Sequence, residues 1–281
     1  MGLDVAALVL VAAALHATWN TFIKVSGDSL VTSAVIMATG SSLCALSLPW
    51  VPPPAPESWP FLLASVAIHN VYFGLLVLAY RFGDLSQVYP IARGTSPAIV
   101  AVFSGVVIGE TLSWVQLAGA LLVALGIGSL AGVGSDRRHV DERGVVYALL
   151  CGLSIGAFAL VDAVGVRRSG GVFSFILWLT ALECLPIVAF TLVRRWGRVR
   201  ASIVESGPRA AFGGVLAASA YATILWAYDN APVAPVAALR ETSVVMAALI
   251  GALRLGEPFG IRRVIAAVVV VCGVALLNRV S

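Results

Sequence analysis

Arg93-Gly94-Thr95-Ser96 stands inside a strongly apolar stretch, and Arg240-Glu241-Thr242-Ser243 stands inside another, 147 positions later (240 − 93). The match extends outward from both. Gly109, Glu110 and Gly126 return as Gly256, Glu257 and Gly273 at the same offset. Upstream, Ala79-Tyr80 matches Ala227-Tyr228 at an offset of 148, so one residue is lost in between. In a chain of 281 residues this spacing reads as two copies of one unit. Recurrence at a fixed period marks a duplicated architecture. A charge kept in the apolar part of each copy is the pattern expected where a membrane protein binds what it moves.

Composition names the solvent. Hydrophobic residues make up 60%, charged residues 11%, and the mean hydropathy is +0.98. A soluble domain carries about 25% charged residues. So much apolar surface cannot be hidden in an aqueous core, and the chain is expected in lipid. A β-barrel would alternate apolar with polar residues, whereas these runs are continuous. The formal charge of +4 does not indicate nucleic acid, because the arginines fall in short connectors where they set orientation in a bilayer. Cys44, Cys151, Cys184 and Cys272 all lie in apolar runs without a C-x-x-C pair, so they read as packing residues, not disulfides or a zinc site. The N-terminus lacks a basic region and its apolar run is long enough to span, so no cleavable signal peptide is expected.

A helix needs about 20 apolar residues to cross the hydrocarbon. Ten runs qualify, at roughly 3–23, 29–50, 60–80, 86–108, 113–131, 144–165, 172–193, 210–229, 233–253 and 261–278. Pro52 to Pro56, Gly170-Gly171, Gly207-Pro208 and Ala231-Pro232 are the expected breaks. The polar connector from Gly132 to Arg143 separates two halves, 1–134 and 140–281. Five spans per copy is an odd number, so the second copy enters from the opposite face and the repeat is inverted. The expected fold is thus an all-α integral membrane bundle of ten transmembrane helices in two inverted five-helix repeats. Thirteen of the eighteen Lys and Arg residues fall in loops after odd-numbered spans and three on the other side; Arg93 and Arg240 lie within spans. The positive-inside rule then puts both termini outside.

Gly109-Glu110, followed by the Gly-spaced helix Gly119…Gly126-Ile127-Gly128, and Gly256-Glu257-Pro258-Phe259-Gly260, followed by a helix containing Gly273, form a recurring motif pair. In this the chain resembles the drug/metabolite transporter superfamily, EamA-type branch, over essentially its whole length. The resemblance implies a ten-helix bundle around a central cavity lined mainly by the first, third, fourth, sixth, eighth and ninth helices. It also implies a bacterial inner membrane as location. It does not choose a substrate, since members move amino acids, sugars and their nucleotides, phosphorylated metabolites, amines and drugs. Many ten-helix members keep both ends in the cytoplasm, and here the charge count argues the reverse.

The polar residues within the spans are the candidate site. Arg93 and Arg240 each lie about 7 residues into a span, roughly 10 Å deep at 1.5 Å per residue, entered from opposite faces. Two such guanidiniums could clamp a carboxylate or phosphate. The competing reading is a structural ion pair, and Glu241, about 100° around the helix from Arg240, suits Arg93 on another helix. His16, Trp19 and Asn20 share one face of the first helix, and His69 and Tyr72 lie in the third. Tyr221 and Trp226 in the eighth are deep enough to stack on an organic substrate. Glu183 and Glu241 are the proton-coupling candidates. Asp162 reads as a local salt-bridged end beside Arg167 and Arg168, and Tyr228, Trp50 and Trp196 as interfacial anchors. Glu110 and Glu257 read as repeat architecture holding short loops.

These residues point to a secondary transporter of a small polar or charged metabolite or drug, working by alternating access. No metal, cofactor or nucleic acid is expected, and no nucleotide-binding loop appears. The partners are a small-molecule substrate and the bilayer, with monomer or homodimer left open. A lipid-headgroup flippase, a membrane-embedded lipid-modifying enzyme and a non-transporting receptor are the rival readings.

Overall fold

A computed structural model describes residues 1–24, 26, 28–83, 85–131, 141–255 and 260–278. Helix is the dominant structure of these residues, with no strand among them, as lipid requires of a backbone whose every N–H and C=O must find a partner within its own segment. Eleven α-helices follow one another among the described residues: α1 (Leu3–Lys24), α2 (Ser29–Ser47), α3 (Trp59–Phe82), α4 (Leu85–Val107), α5 (Trp114–Gly128), α6 (Glu142–Arg167), α7 (Val172–Glu183), α8 (Leu185–Asn230), α9 (Val233–Arg240), α10 (Thr242–Leu255) and α11 (Ile261–Leu277). Seven stretches among them are long and apolar enough to cross a membrane, and an eighth crosses if α7 and Val188–Ala201, bent by 49° from it, count as one. Helices α5 and α11 are shorter, at 15 and 17 residues.

Three departures from the expected spans have local causes. The ninth apolar run is broken at Glu241, where the backbone tightens: Glu241 N–H bonds Ala238 O at 3.1 Å and Val244 N–H bonds Glu241 O at 3.0 Å, both one residue short of α-helical reach. The seventh is broken at Cys184, followed by Pro186, which suits the first turn of a helix and not its interior. The expected break at Gly207-Pro208 is instead helical, so α8 carries the arginine-rich connector Arg194 to Arg209 as helix. Gly256-Glu257 and most of the 132–143 connector lie outside the described residues.

The halves interlock. Helices α3 and α4 pack chiefly on α6, while α1 packs on α8, α9 and α10, the same relation with the copies exchanged. Helix α5 crosses its copy α11 through glycine: a Cβ on Gly119 would lie 2.7 Å from Gly273 O, and one on Gly273 would lie 2.7 Å from Gly119 O. Along this seam Gly119 meets Leu276 and Leu277 whereas Gly126 meets Val269 and Val270, so the two helices run antiparallel. The second pair of copies does the same, since Ser41 Oγ donates to Thr180 O while Asp28 lies against Arg195. Repeat mates that run in opposite directions are what an inverted duplication produces. The main core fills the space among α1, α6, α7, α8 and α9, with Val9, Phe158, Phe175, Leu225 and Val236 at its centre.

Candidate functional site

A cavity of about 1130 Å³ lies between the repeats. Its lining reaches the exposed Arg81 and the half-buried Arg263 at one end of the bundle, and Ile23, Tyr80 and Gly83 beside them, so it opens there. The lining continues with Tyr72, Tyr89 and Asn20 and includes Phe158, Tyr221 and Arg240. Of the expected site residues, Arg93, Arg240, His16, Trp19, Asn20, His69, Tyr72, Tyr221 and Glu183 all line it. Trp226 and Glu241 do not. Trp226 sits five residues from Tyr221, some 140° around the helix at 100° per residue, and packs against the core instead.

The two arginines share the cavity but not the role. Arg93, 4% exposed, is held by three polar side chains: its Nε lies 3.0 Å from Glu241 Oε2 as an ion pair, and its Nη2 lies 3.0 Å from His16 Nε2 and donates to Ser243 Oγ at 3.2 Å. A guanidinium only donates, so His16 Nε2 is the acceptor there and its proton sits on Nδ1. The Arg93–Glu241 pair is therefore a neutral brace between α4 and the break in the ninth run. Arg240, 9% exposed, has no carboxylate at ion-pair distance among the described residues. Its guanidinium lies 6.0 Å from the Phe158 ring and 5.9 Å from the Tyr221 ring, within reach of the attraction that aromatic faces exert on a cation. Exposing a charge to the membrane costs about 2.5–3.5 kcal/mol or more on insertion scales, and the cavity is what relieves it. The expected two-armed clamp is thus one cation without a carboxylate partner among the described residues, backed by a braced one.

Across the floor a second polar group forms. His69 Nδ1 lies 2.9 Å from Ser65 O, and since a carbonyl only accepts, Nδ1 carries the proton and Nε2 is bare. That Nε2 faces Tyr221 Oη at 3.4 Å and Glu183 Oε2 at 3.7 Å. The His69 ring stacks on Phe158 with centroids 3.9 Å apart. Tyr221 Oη also donates to Asp162 Oδ2 in a short hydrogen bond. Asp162 is the residue that sequence reasoning misplaced. It is 0% exposed and makes no pair with Arg167 or Arg168. Helix α6 runs on past the expected end at 165, and five residues turn Asp162 about 140° away from Arg167, into α8. The signal available was its run, Ala159 to Val166, in which Asp162 is the lone polar side chain.

Glu110 stands at the end opposite the mouth. Its Oε1 pairs with Arg167 Nη2 at 2.7 Å and its Oε2 accepts the Val233 N–H at 2.8 Å, capping α9. Arg167 in turn donates from Nε to Tyr228 O and from Nη2 to Ala231 O, at 2.9 and 3.0 Å. One carboxylate thereby ties the exit of α4 to the ends of α6 and α8 and the start of α9. Gly109 beside it has φ +81°, a left-handed conformation that glycine adopts without strain. Tyr228, expected as an interfacial anchor, is buried in the core, while Trp50 and Trp196 are exposed.

The sequence matches the EamA-like transporter family over residues 5–131 and 142–279. The chain belongs to that family. It is an integral membrane protein of a transporter family built on two repeats, and the two matched regions are the two copies found above. No curated protein matches it. A solved crystal structure superposes with a TM-score of 0.72 at 16% identity, covering 98% of this chain and 95% of its own, a likeness of fold.

Proposed function

We propose that this EamA-family protein is a secondary transporter for a small metabolite bearing an anionic group on an apolar or aromatic body. In this reading ten spans cross the membrane, α7 with the first part of α8 forming the seventh and α9 with α10 the ninth. Substrate binds in the central cavity, and access alternates as one repeat rocks against the other. The observation that carries the substrate class is Arg240. It is a cavity-facing guanidinium with no carboxylate partner among the described residues, held between two aromatic rings. The lining supports the same sign, since Arg81, Arg93, Arg195, Arg240 and Arg263 face Glu183 as its only acid among the described residues. Trp19 Nε1 and Thr180 Oγ1, buried without hydrogen-bond partners, are spare polar atoms for the rest of the molecule. The aromatic walls suit an apolar body.

A thermal-shift screen of the purified protein tests this. A ligand that binds the folded state stabilises it by about 2.7 kcal/mol at a hundredfold excess over its Kd. Carboxylates or phosphates with an aromatic or aliphatic body are expected to raise the Tm of the unmutated protein and to lose that effect in Arg240→Ala. Stabilisation by amines alone, or an anion effect undiminished in Arg240→Ala, would overturn the anionic class.

A further inference from the structure

We propose that Asp162 is a proton-exchange site, connected to the cavity through Tyr221, His69 and Glu183. This deepens the transporter reading above by naming the coupling ion, and it rests on that reading only for its role in transport. Asp162 lies outside the cavity lining, behind the wall that Tyr221 and His69 make. Its surroundings are Ser65 and His69 on α3, Glu183 on α7, Tyr221 and Tyr228 on α8, and Arg240 on α9, with Glu241 beyond Tyr228. No cation stands at ion-pair distance among the described residues, and Asp162 Oδ1 is buried without a hydrogen bond. Only Oδ2 is satisfied, by the Tyr221 hydroxyl.

Charge balance asks for one proton here. Arg93 and Glu241 cancel as a pair. That leaves Arg240 against the two carboxyls Asp162 and Glu183, which is neutral when those two share a single proton. An unpaired ion in a dry interior costs several kcal/mol, so the neutral set is strongly preferred. The atoms for moving the proton are in line. For transfer the Tyr221 hydroxyl turns from Asp162 Oδ2 to the bare His69 Nε2, 3.4 Å away, and gives its proton there as it takes the proton of Asp162. His69 Nε2 then yields its proton to Glu183 Oε2, which borders the cavity. Tyrosine and histidine end as they began, and the net change is one proton moved from Asp162 to Glu183. An anion arriving at Arg240 leaves the set one charge negative unless a second proton is taken up. Substrate and proton therefore bind together.

The test uses the whole protein in detergent and needs no substrate. Protein labelled with aspartate carrying a heavy carboxyl carbon is examined by infrared spectroscopy at neutral pH. The expected result is a protonated-carboxyl C=O band that shifts with the label in the unmutated protein and vanishes in Asp162→Asn. On transfer to heavy water the same band is expected to deuterate more slowly in Tyr221→Phe, by about a hundredfold, the scale of a positioned proton donor. Absence of a label-sensitive band in the unmutated protein would overturn the site. Equal exchange in Tyr221→Phe would overturn the route. Neither depends on any anion binding, so failure here is distinct from failure at Arg240.

Discussion

Arg93 and Arg240 occupy matched positions in two copies of one unit, yet among the described residues only Arg93 has a carboxylate partner. The difference is a single residue: Glu241 follows Arg240, and its counterpart after Arg93 is Gly94. Duplication supplied two cations, and one acid, reaching across to the other copy, neutralised Arg93. Arg93→Ala is expected to lower stability by about 3–5 kcal/mol, because it leaves Glu241 buried and unpaired. Adding Glu241→Gln should restore much of the loss in Tm, whereas the same addition to Arg240→Ala should restore nothing. A double-mutant cycle by thermal unfolding in detergent reads both. The pairing of Glu241 with Arg93 was legible in the sequence from helical geometry, and so was the polar face of α1. Asp162 was not, because its role depends on which way α6 is turned where it meets α8, and an apolar run around it hides that phase.

At the scale of the element, the Gly109-Glu110 turn is where sequence motif and physical cause meet most closely. Gly109 holds a positive φ with open space around it, so Gly109→Ala is expected to cost about 1–2 kcal/mol from backbone strain alone. Gly74 is also in open space but lies within a helix, so Gly74→Ala should be neutral or stabilising by up to about 1 kcal/mol. Comparing the two Tm values separates conformation from crowding. Glu110→Gln keeps the shape but removes the charge that holds Arg167 and the α9 N-terminus, and is expected to loosen the end opposite the mouth. A cysteine placed at the buried Ala231 should then label faster with a thiol reagent. An unchanged rate would mean that Glu110 braces the turn without holding the end shut. The breaks at Cys184 and Glu241 were illegible because the apolar residues on both sides of each make one run of spanning length. What interrupts them is tightening of one turn beside a buried charge or a proline. The helical connector through Pro208 shows the reverse, a breaker overridden by its neighbours.

At the scale of the whole molecule, direction is the open quantity, and it follows from where positive charge and the cavity mouth coincide. Arg81, Arg195 and Arg263 line the mouth, and all three belong to the side that holds thirteen of the Lys and Arg residues. Asp28, at the same side, pairs with Arg195 and Arg198 at 3.2 and 3.1 Å. Partial burial works to raise its pKa, but the Val31 N–H and the two guanidiniums outweigh it and hold the carboxyl below its ordinary range. That contribution to stability is present above the unfolded pKa and fades as pH falls through the lower folded one, so acid should loosen the mouth first. With the positive loops retained in the cytoplasm, as the positive-inside rule predicts, the expected arrangement is inward-open, with Glu110–Arg167 at the outer face. Single-cysteine variants decide it. Asn230→Cys, exposed at the end opposite the mouth, is expected to react with a membrane-impermeant maleimide on intact cells. Arg81→Cys, exposed at the mouth, should react only after permeabilisation. The opposite pattern would turn the molecule over, place its termini in the cytoplasm, and make the same cavity an outward-facing one.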